Sequence, residues 1–307
     1  MHHQQERRLG DQRHRREIAA RVIGDKLSAS LGQPVVIENR TGAGGNVGFE
    51  QAARAPKDGY LLMFTPTQVA SNPGLGKVNY DPVRDFTAVA PFARSASLLV
   101  ITPSLPATTV KEFIALSRAK PMAYGSTGSG GIGHLTHELF NHMAGIAKST
   151  HVPYRGSGPI VTALLAGEVP SGMVNLSSAY GQVRSGKLKA LAISSAKRST
   201  ALPDYPTIAE SGVPGYEVIN WYGVLAPAKT PRAIVARLHA EIVNGLNAPQ
   251  LKARFANDGT VFVGSTPEAF TAFVAAEAAK YAKLVKLAGA KSGWPAGVDR
   301  VVPARTA

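Results

Sequence analysis

The stretch YGSTGSGGIGHLTHELFNHM, Tyr124–Met143, constrains this chain more tightly than any other. A short run ending at Tyr124 gives way to a glycine-rich loop, Gly125–Gly133. Ile132, Leu135, Leu139, Phe140 and Met143 then recur at helical spacing. The order is strand, bare loop, helix N-terminus. The first amides of a helix have no acceptor within it, and the positive end of its dipole lies there, so the place suits an anion. Ser126, Thr127 and Ser129 add hydroxyls that can donate to the same anion. The loop reads as a holder for a carboxylate of a small ligand.

A chain of 307 residues exceeds what one core usually serves, so two domains are expected. Lys and Arg number 34 against 20 Asp and Glu, a formal charge of +14, but the basic residues are scattered. With no basic block carrying interleaved aromatics, no nucleic-acid partner is expected. The excess suits attraction of small anions and, with similar weight, plain solubility. Cysteine is absent, which excludes disulfides and thiol chemistry and is compatible with an oxidising compartment. No apolar run reaches the roughly 18 residues of a membrane-spanning helix. Residues 1–17 are polar and contain no apolar core of a signal peptide.

From Ile18 the pattern alternates. Ile18, Val22, Ile23, Leu27 and Leu31 line one helix face, closed by Gly32. Val35–Glu38 reads as a strand, TGAGGN as a loop, Val47–Ala55 as a helix and Tyr60–Thr65 as a buried strand, which argues for a parallel sheet. An irregular segment, Pro66–Asp85, precedes strands at Thr87–Phe92 and Leu98–Thr102. Thr109 and Glu112 open a helix as a capping box. After the central loop come strands at Thr150–Tyr154, Met173–Leu176, Ala190–Ser194 and Tyr222–Ala226. A helix from GSGP to Leu165 and two late helices opened by Thr230-Pro231 and Thr266-Pro267 complete the reading. The loops TGAGGN and STGSGG echo one another, as two similar halves around a cleft would.

Three other chemistries compete for these residues. Gly128–Gly133 is formally G-x-G-x-x-G, but the next strand ends in Arg155 where the dinucleotide fingerprint needs an acid, so an NADP-dependent oxidoreductase is the weaker alternative. His134, His137 and Glu138 share a helix face in the order H-x-x-H-E with no third ligand evident, so no metal site is expected. Neither Ser129 nor Ser157 is flanked as a nucleophile elbow requires. The expected function is binding, not catalysis.

The segments PVVIENRTGAGGNVG, APKDGY, NYDPVRDF, YGSTGSGGIGHLTHELF, HVPYRGSGP, LPDYPTIAESGVPGYE and WYGVLAPAKTP together resemble the Bug family, the substrate-binding proteins of tripartite tricarboxylate transporters. The likeness runs in order from about Ile18 to Ser292. It implies an α/β, two-domain periplasmic binding protein of type II, a flytrap in which each domain is a mixed sheet flanked by helices. It implies domain 1 at 18–101 plus 222–291, domain 2 at 102–221, an atypical N-terminal segment at 1–17 and a tail at 292–307. Ligand contacts are implied at Thr65, Thr67, Ser126, Thr127, Gly128, Ser129, Gly130, Gly131 and Asn175. The implied partners are a small carboxylate (di- or tricarboxylate, acidic amino acid or aromatic acid) and the membrane permease subunits, with no cofactor and a monomeric state. One departure stands out. Where the family has a second carboxylate loop before its first helix, this chain reads QRHRRE (Gln12–Glu17), so that loop and its strand are missing or altered.

Overall fold

The structure is a computed structural model and describes residues 11–40, 42–199, 203–249, 251 and 260–291. Its spine is one long strand, β2 (Phe86–Ile101), where the sequence suggests two. Arg94 and Ser95 read as a break, yet the ladder runs straight through them, pairing Arg94 with Trp221 and Ser95 with Asn220. Register shifts at Ala88/Ala90 and Pro91/Ala93 are bulges that absorb a proline no regular central strand would accept.

Before β2 come helix α1 (Asp11–Leu31), helix α2 (Asn46–Ala53), strand β1 (Met63–Pro66) and helix α3 (Gln68–Leu75). After it come α4 (Val110–Ala119), β3 (Met122–Ser126), α5 (Ile132–Met143), β4 (Ser149–Pro153), α6 (Ser157–Ala166), β5 (Ser171–Asn175), α7 (Leu176–Arg184) and β6 (Lys189–Ile193). The chain returns through β7 (Ile219–Pro227) to α8 (Arg232–Leu246), β8 (Val261–Phe262) and α9 (Pro267–Ala288). The strands lie in the order β1-β7-β2-β5-β3-β4, with β6 and β8 also on β2. Among the ladders of the described residues, β3 with β4 and β3 with β5 are parallel, and every ladder of β2, and that of β1 with β7, is antiparallel. The sheet is therefore mixed, and the parallel arrangement read from the first half of the chain is confined to its middle.

Alternation along β2 sends successive side chains to opposite cores. Leu99 and Ile101 join Phe113, Phe140 and Trp221, whereas Leu98 and Val100 join Ile160 and Leu164. All four β2 residues are fully buried. Each such side chain contributes roughly 1.5–3 kcal/mol relative to an exposed one, which is why a continuous apolar run, not an alternating one, marks this strand.

Several boundaries differ from the sequence reading. The helix expected from Ile18 begins at Asp11; Gln, Arg and Glu are good helix formers, so helix propensity continues where apolar periodicity stops. Residues 1–10 and 292–307 lie outside the described part. Val35–Glu38 is extended but forms no ladder, and Val36 is exposed; Val35 and Ile37 turn instead onto Gly24 of α1. The strand expected from Tyr60 starts at Met63, because β1 pairs on one side only and Tyr60, 94% exposed, has no partner strand. Helix α3 falls in the segment read as irregular, and α7 begins at Leu176, the last residue of an expected strand, and continues where no element was expected. Their Gly, Pro, Asn and Ser content is poor for a helix, but tertiary burial of Val69, Ala70, Leu75, Leu176 and Ala179 overrides it. Other local signals match: Thr109 Oγ1 accepts the Glu112 amide at 3.2 Å, and Gly32 and Gly167 close their helices with φ of 67° and 74°.

Helix α9 is seated on the sheet by Gly223 of β7. A methyl there would approach Phe270 ring carbons to 2.2 and 2.6 Å. Gly223→Ala should therefore lower stability by about 1–3 kcal/mol through overpacking, read as a lower urea midpoint with an unchanged slope.

Candidate functional site

Strands β4, β3 and β5 run parallel side by side, and each is followed by a helix: α6, α5 and α7 respectively. Three helix N-termini therefore open at one sheet edge. This is the place in an α/β sheet where ligands bind, and the three dipoles favour an anion, each by about 0.3–1 kcal/mol. Gly131 is the N-cap of α5, so the Ile132, Gly133 and His134 amides precede the first intrahelical acceptor. Gly172 and Gly125 allow close packing here. A methyl on Gly172 would meet Gly125 O at 3.1 Å, and one on Gly133 would meet Met173 O at 3.4 Å.

Ser126–Gly131 forms one connected loop at this edge. Gly128 has φ 106° and Gly130 φ 72°, conformations that favour glycine. Thr127, Gly128 and Gly131 are partly accessible, Ser129 is exposed and Gly130 is buried. The amides are not equivalent: Gly130 N–H donates to His134 Nδ1 at 3.0 Å and Gly131 N–H to Gly128 O at 3.1 Å. Ser126 is fully buried, its Oγ 2.6 Å from His151 Nε2 and 3.3 Å from Gly128 O. Its hydroxyl braces the loop from beneath, whereas Thr127 and Ser129 are at least partly accessible.

The remaining expected residues converge through a chain of polar contacts. Asn175, at the end of β5, donates from Nδ2 to Ser157 Oγ at 3.2 Å and accepts from Asn220 Nδ2 at 3.4 Å. Asn220 also donates to Ser97 Oγ at 3.4 Å. Its neighbour Trp221 donates its backbone N–H to Thr67 Oγ1 at 2.9 Å, and that hydroxyl donates to Trp221 O at 3.2 Å. Thr65 and Thr67 are buried, and Thr65 Oγ1 donates to Pro66 O at 3.1 Å. The hydroxyls of these two threonines are committed to backbone. Trp221 Nε1 donates to the buried Glu277 carboxylate at 3.0 Å, which also pairs with Lys280.

Sequence reasoning missed Ser97, Ser157 and Asn220, because they meet only when β2, β5, α6 and β7 assemble. It also missed the layer beneath the loop. The Tyr124 ring stacks on His137 at 3.8 Å, and His134 stacks on His151 at 3.9 Å. Tyr124 OH donates to Glu138. His134 and His137, weighed as metal ligands from their spacing, are thus ring-packed, and Glu138 accepts from a tyrosine. Burial pushes all three imidazoles down: His137 to about 3, with the neighbouring imidazoles adding to the effect, and His151 to about 4, with His134 adding to it. His134 is lowered by burial alone.

A mixed-sheet α/β fold with a glycine loop and three helix N-termini at one strand edge is the architecture of solute-binding proteins of the periplasmic type, whose solved structures it resembles. Residues 19–290 match the Tripartite tricarboxylate transporter family receptor model, and the chain belongs to that family. Protein BugT of Bordetella pertussis is 35% identical over 280 residues, covering 90% of this chain and 86% of BugT. The structure of R. palustris Rpa4515 with adipate superposes with a TM-score of 0.75 at 36% identity, covering 90% of this chain and 93% of that one. Periplasmic binding protein BugD gives 0.73 at 30%, covering 90% and 94%. MatC from Rhodopseudomonas palustris with bound malate gives 0.71 at 30%, covering 88% and 94%. The family and these neighbours are binding proteins, and nothing in them favours the oxidoreductase alternative. Gly130 and Gly131 N–H, which would have to face a pyrophosphate, are turned inward. No helix among the described residues is long and apolar enough to cross a membrane.

Two outcomes follow from this geometry. Thr67→Val leaves the buried Trp221 N–H without its acceptor, at a cost of about 1–3 kcal/mol in unfolding free energy; a loss of ligand affinity with unchanged stability would assign Thr67 to the ligand instead. In the unfolded chain His137 takes up its proton near 6.5, whereas in the fold it resists protonation until about 3. Between those values the unfolded state binds more protons, so stability falls as pH falls. The melting temperature should drop between pH 6.5 and 4, and His137→Phe, which keeps a ring against Tyr124, should flatten that drop.

Proposed function

We propose that this chain is an extracytoplasmic receptor that holds a small carboxylate in a cleft between two lobes and presents it to the membrane permease of a tripartite transporter. The observation that carries the reading is the convergence of the α5, α6 and α7 N-termini with the glycine loop at one strand edge. The ligands named with the similar structures, adipate and malate, are of the same chemical class. The carboxylate lies against Thr127, Gly128, Ser129 and the first amides of α5, and Asn175 with Asn220 serves its distal polar group. Thr65, Thr67, Ser126, Gly130 and Gly131 shape the site from behind. The receptor works as a periplasmic monomer without catalysis.

The lobes are joined by β2 and β7. In support, β2 pairs with β7 through Ala96, with β5 from Ser97 and with β6 from Leu98, and Val218 N–H donates to Ser194 O at 2.9 Å. On this reading the crossings fall near 96/97 and 218/219, where the sequence suggests 101/102 and 221/222. Closure is favoured only by contacts a ligand makes in the closed form and not in the open one.

A thermal-shift panel of adipate, malate, citrate, glutamate, nicotinate and NADP tests the reading. A carboxylate at about 100 times its Kd adds about 2.7 kcal/mol to stability and raises Tm by several degrees; a rise with NADP alone overturns the assignment. Gly128→Ala should weaken the responding carboxylate about tenfold or more, since its φ of 106° strains any L residue. A methyl there meets nothing within 4 Å, so the effect is on loop conformation and not on packing.

A further inference from the structure

The imidazole layer under the ligand loop has no role in the carboxylate reading, yet it holds that loop at two points. Gly130 N–H donates to His134 Nδ1 at 3.0 Å. Ser126 Oγ lies 2.6 Å from His151 Nε2. The two imidazoles are stacked at 3.9 Å with an interplanar angle of 11°, so the two attachment points share one support. As an acceptor, His134 Nδ1 carries no proton, and the neutral ring has its proton on Nε2.

We propose that His134 is a positioning residue for the ligand loop, and that its protonation releases Gly130 and with it the bound carboxylate. Resting on the carboxylate reading, the inference adds a proton-linked control of the same loop. A proton on Nδ1 turns the acceptor into a donor facing the Gly130 N–H, so the two groups oppose each other. Gly130 cannot simply rotate away. It is buried at φ 72°, with its α-carbon packed so closely that a methyl there would meet Leu75 at 2.9 Å and Lys291 O at 3.1 Å. The displacement passes along the backbone to Ser129 and Gly128, which carry the anion-facing part of the loop, and loosens the Gly131 N–H to Gly128 O contact that closes it.

The groups around His134 favour its neutral form. From β4, His151 stacks on it; from its own helix, His137 lies one turn on, and a charge on any of the three disfavours a second. Tyr124 of β3 stacks between His137 and His151, at 3.8 and 5.2 Å, and directs its hydroxyl to Glu138. Among the described residues, the carboxylate of Glu138 favours a charge in the layer, acting on His151. From the other lobe, α3 presents Leu75 to the loop. The switch therefore operates below the ordinary histidine value, where burial has moved His134.

The test uses the whole chain, labelled with 15N. Gly130 amide and His134 ring resonances are followed from pH 7.5 to 4.5 in the absence of ligand, with the melting temperature monitoring the fold. Adipate affinity is measured by calorimetry over the same range. The Gly130 amide is expected to titrate together with the His134 ring, with a midpoint below 6.5. Once the pH is below that midpoint, adipate affinity should approach a tenfold loss per pH unit, beyond adipate's own titration. His134→Asn keeps an acceptor near the Nδ1 position but has no proton to gain. It should bind more weakly at neutral pH with a flatter profile, and the ratio of its affinities to those of the native chain cancels adipate's titration. His142→Gln, at an exposed position on the same helix, should keep the native profile. A Gly130 amide that ignores pH, or one that titrates identically in His134→Asn, overturns the inference. If His134→Asn fails to fold, the native-chain titration decides alone. If adipate does not bind at any pH, the choice of this carboxylate fails while the amide titration still decides the latch.

Discussion

The ladder between β2 and β7 is the interaction on which the rest of the molecule depends. It runs antiparallel from Phe86 opposite Pro227 to Ala96 opposite Ile219, a length most sheets do not give to a single pair. From the next residue, Ser97, β2 is the centre of a second set of strands, with β5 on one side and β6 on the other. A single backbone hydrogen-bond system therefore carries both halves of the chain. Trp221 sits on this ladder, fixed by Thr67 through its backbone and by Glu277 through its indole. Burying a carboxylate is costly unless it is paired, and here Lys280 and the Trp221 indole supply the partners. The arrangement ties α3 and α9 to β7 through packed, hydrogen-bonded side chains.

The site follows from where this ladder ends. Past Ser97, β2 leaves β7 for β5 and β6, and the parallel trio β5-β3-β4 is built outward from there. Its strand ends face the crossing, so Asn175 from β5 meets Asn220 from β7 and Ser97 from β2. If the ligand sits at this strand edge as proposed, these polar contacts belong both to its site and to the junction where β2 changes partners. A ligand that rearranged the Asn175–Asn220 pair would act on the hinge and the binding surface at once, which is an economical way to couple occupancy to closure.

Much of this was legible in the sequence, and the boundary of legibility has a physical cause. The glycine loop, α5, the Thr109 capping box and the αL ends at Gly32 and Gly167 are encoded by residues close together in the chain, so local chemistry reveals them. What escaped depends on distant partners. No local signal says that Arg94 and Ser95 stay in the ladder, since their pairing is with Trp221 and Asn220. Helix α3 contains Pro73, Gly74 and Asn72, and only burial against α9 explains it. In the site, Ser126 and Thr67 were read as ligand hydroxyls because sequence shows a hydroxyl but not its direction. Both turn inward, to His151 and to Trp221 respectively.

The imidazole layer shows the same limit in a sharper form. His134 and His137 are three residues apart and were visible as a pair, but His151 enters only through the parallel pairing of β3 with β4, which sets Tyr124 opposite His151. Once the three rings are together, their chemistry is decided by one another. A buried imidazole is disfavoured as a cation by desolvation, and a second cation nearby disfavours it further. The layer is therefore neutral at neutral pH, and a neutral imidazole can accept from Gly130 where a cation cannot. The loop's shape thus depends on a protonation state that the parallel sheet imposes. If His134 latches the loop as proposed, that dependence makes the carboxylate end of the site responsive to acid without placing any titrating side chain against the ligand.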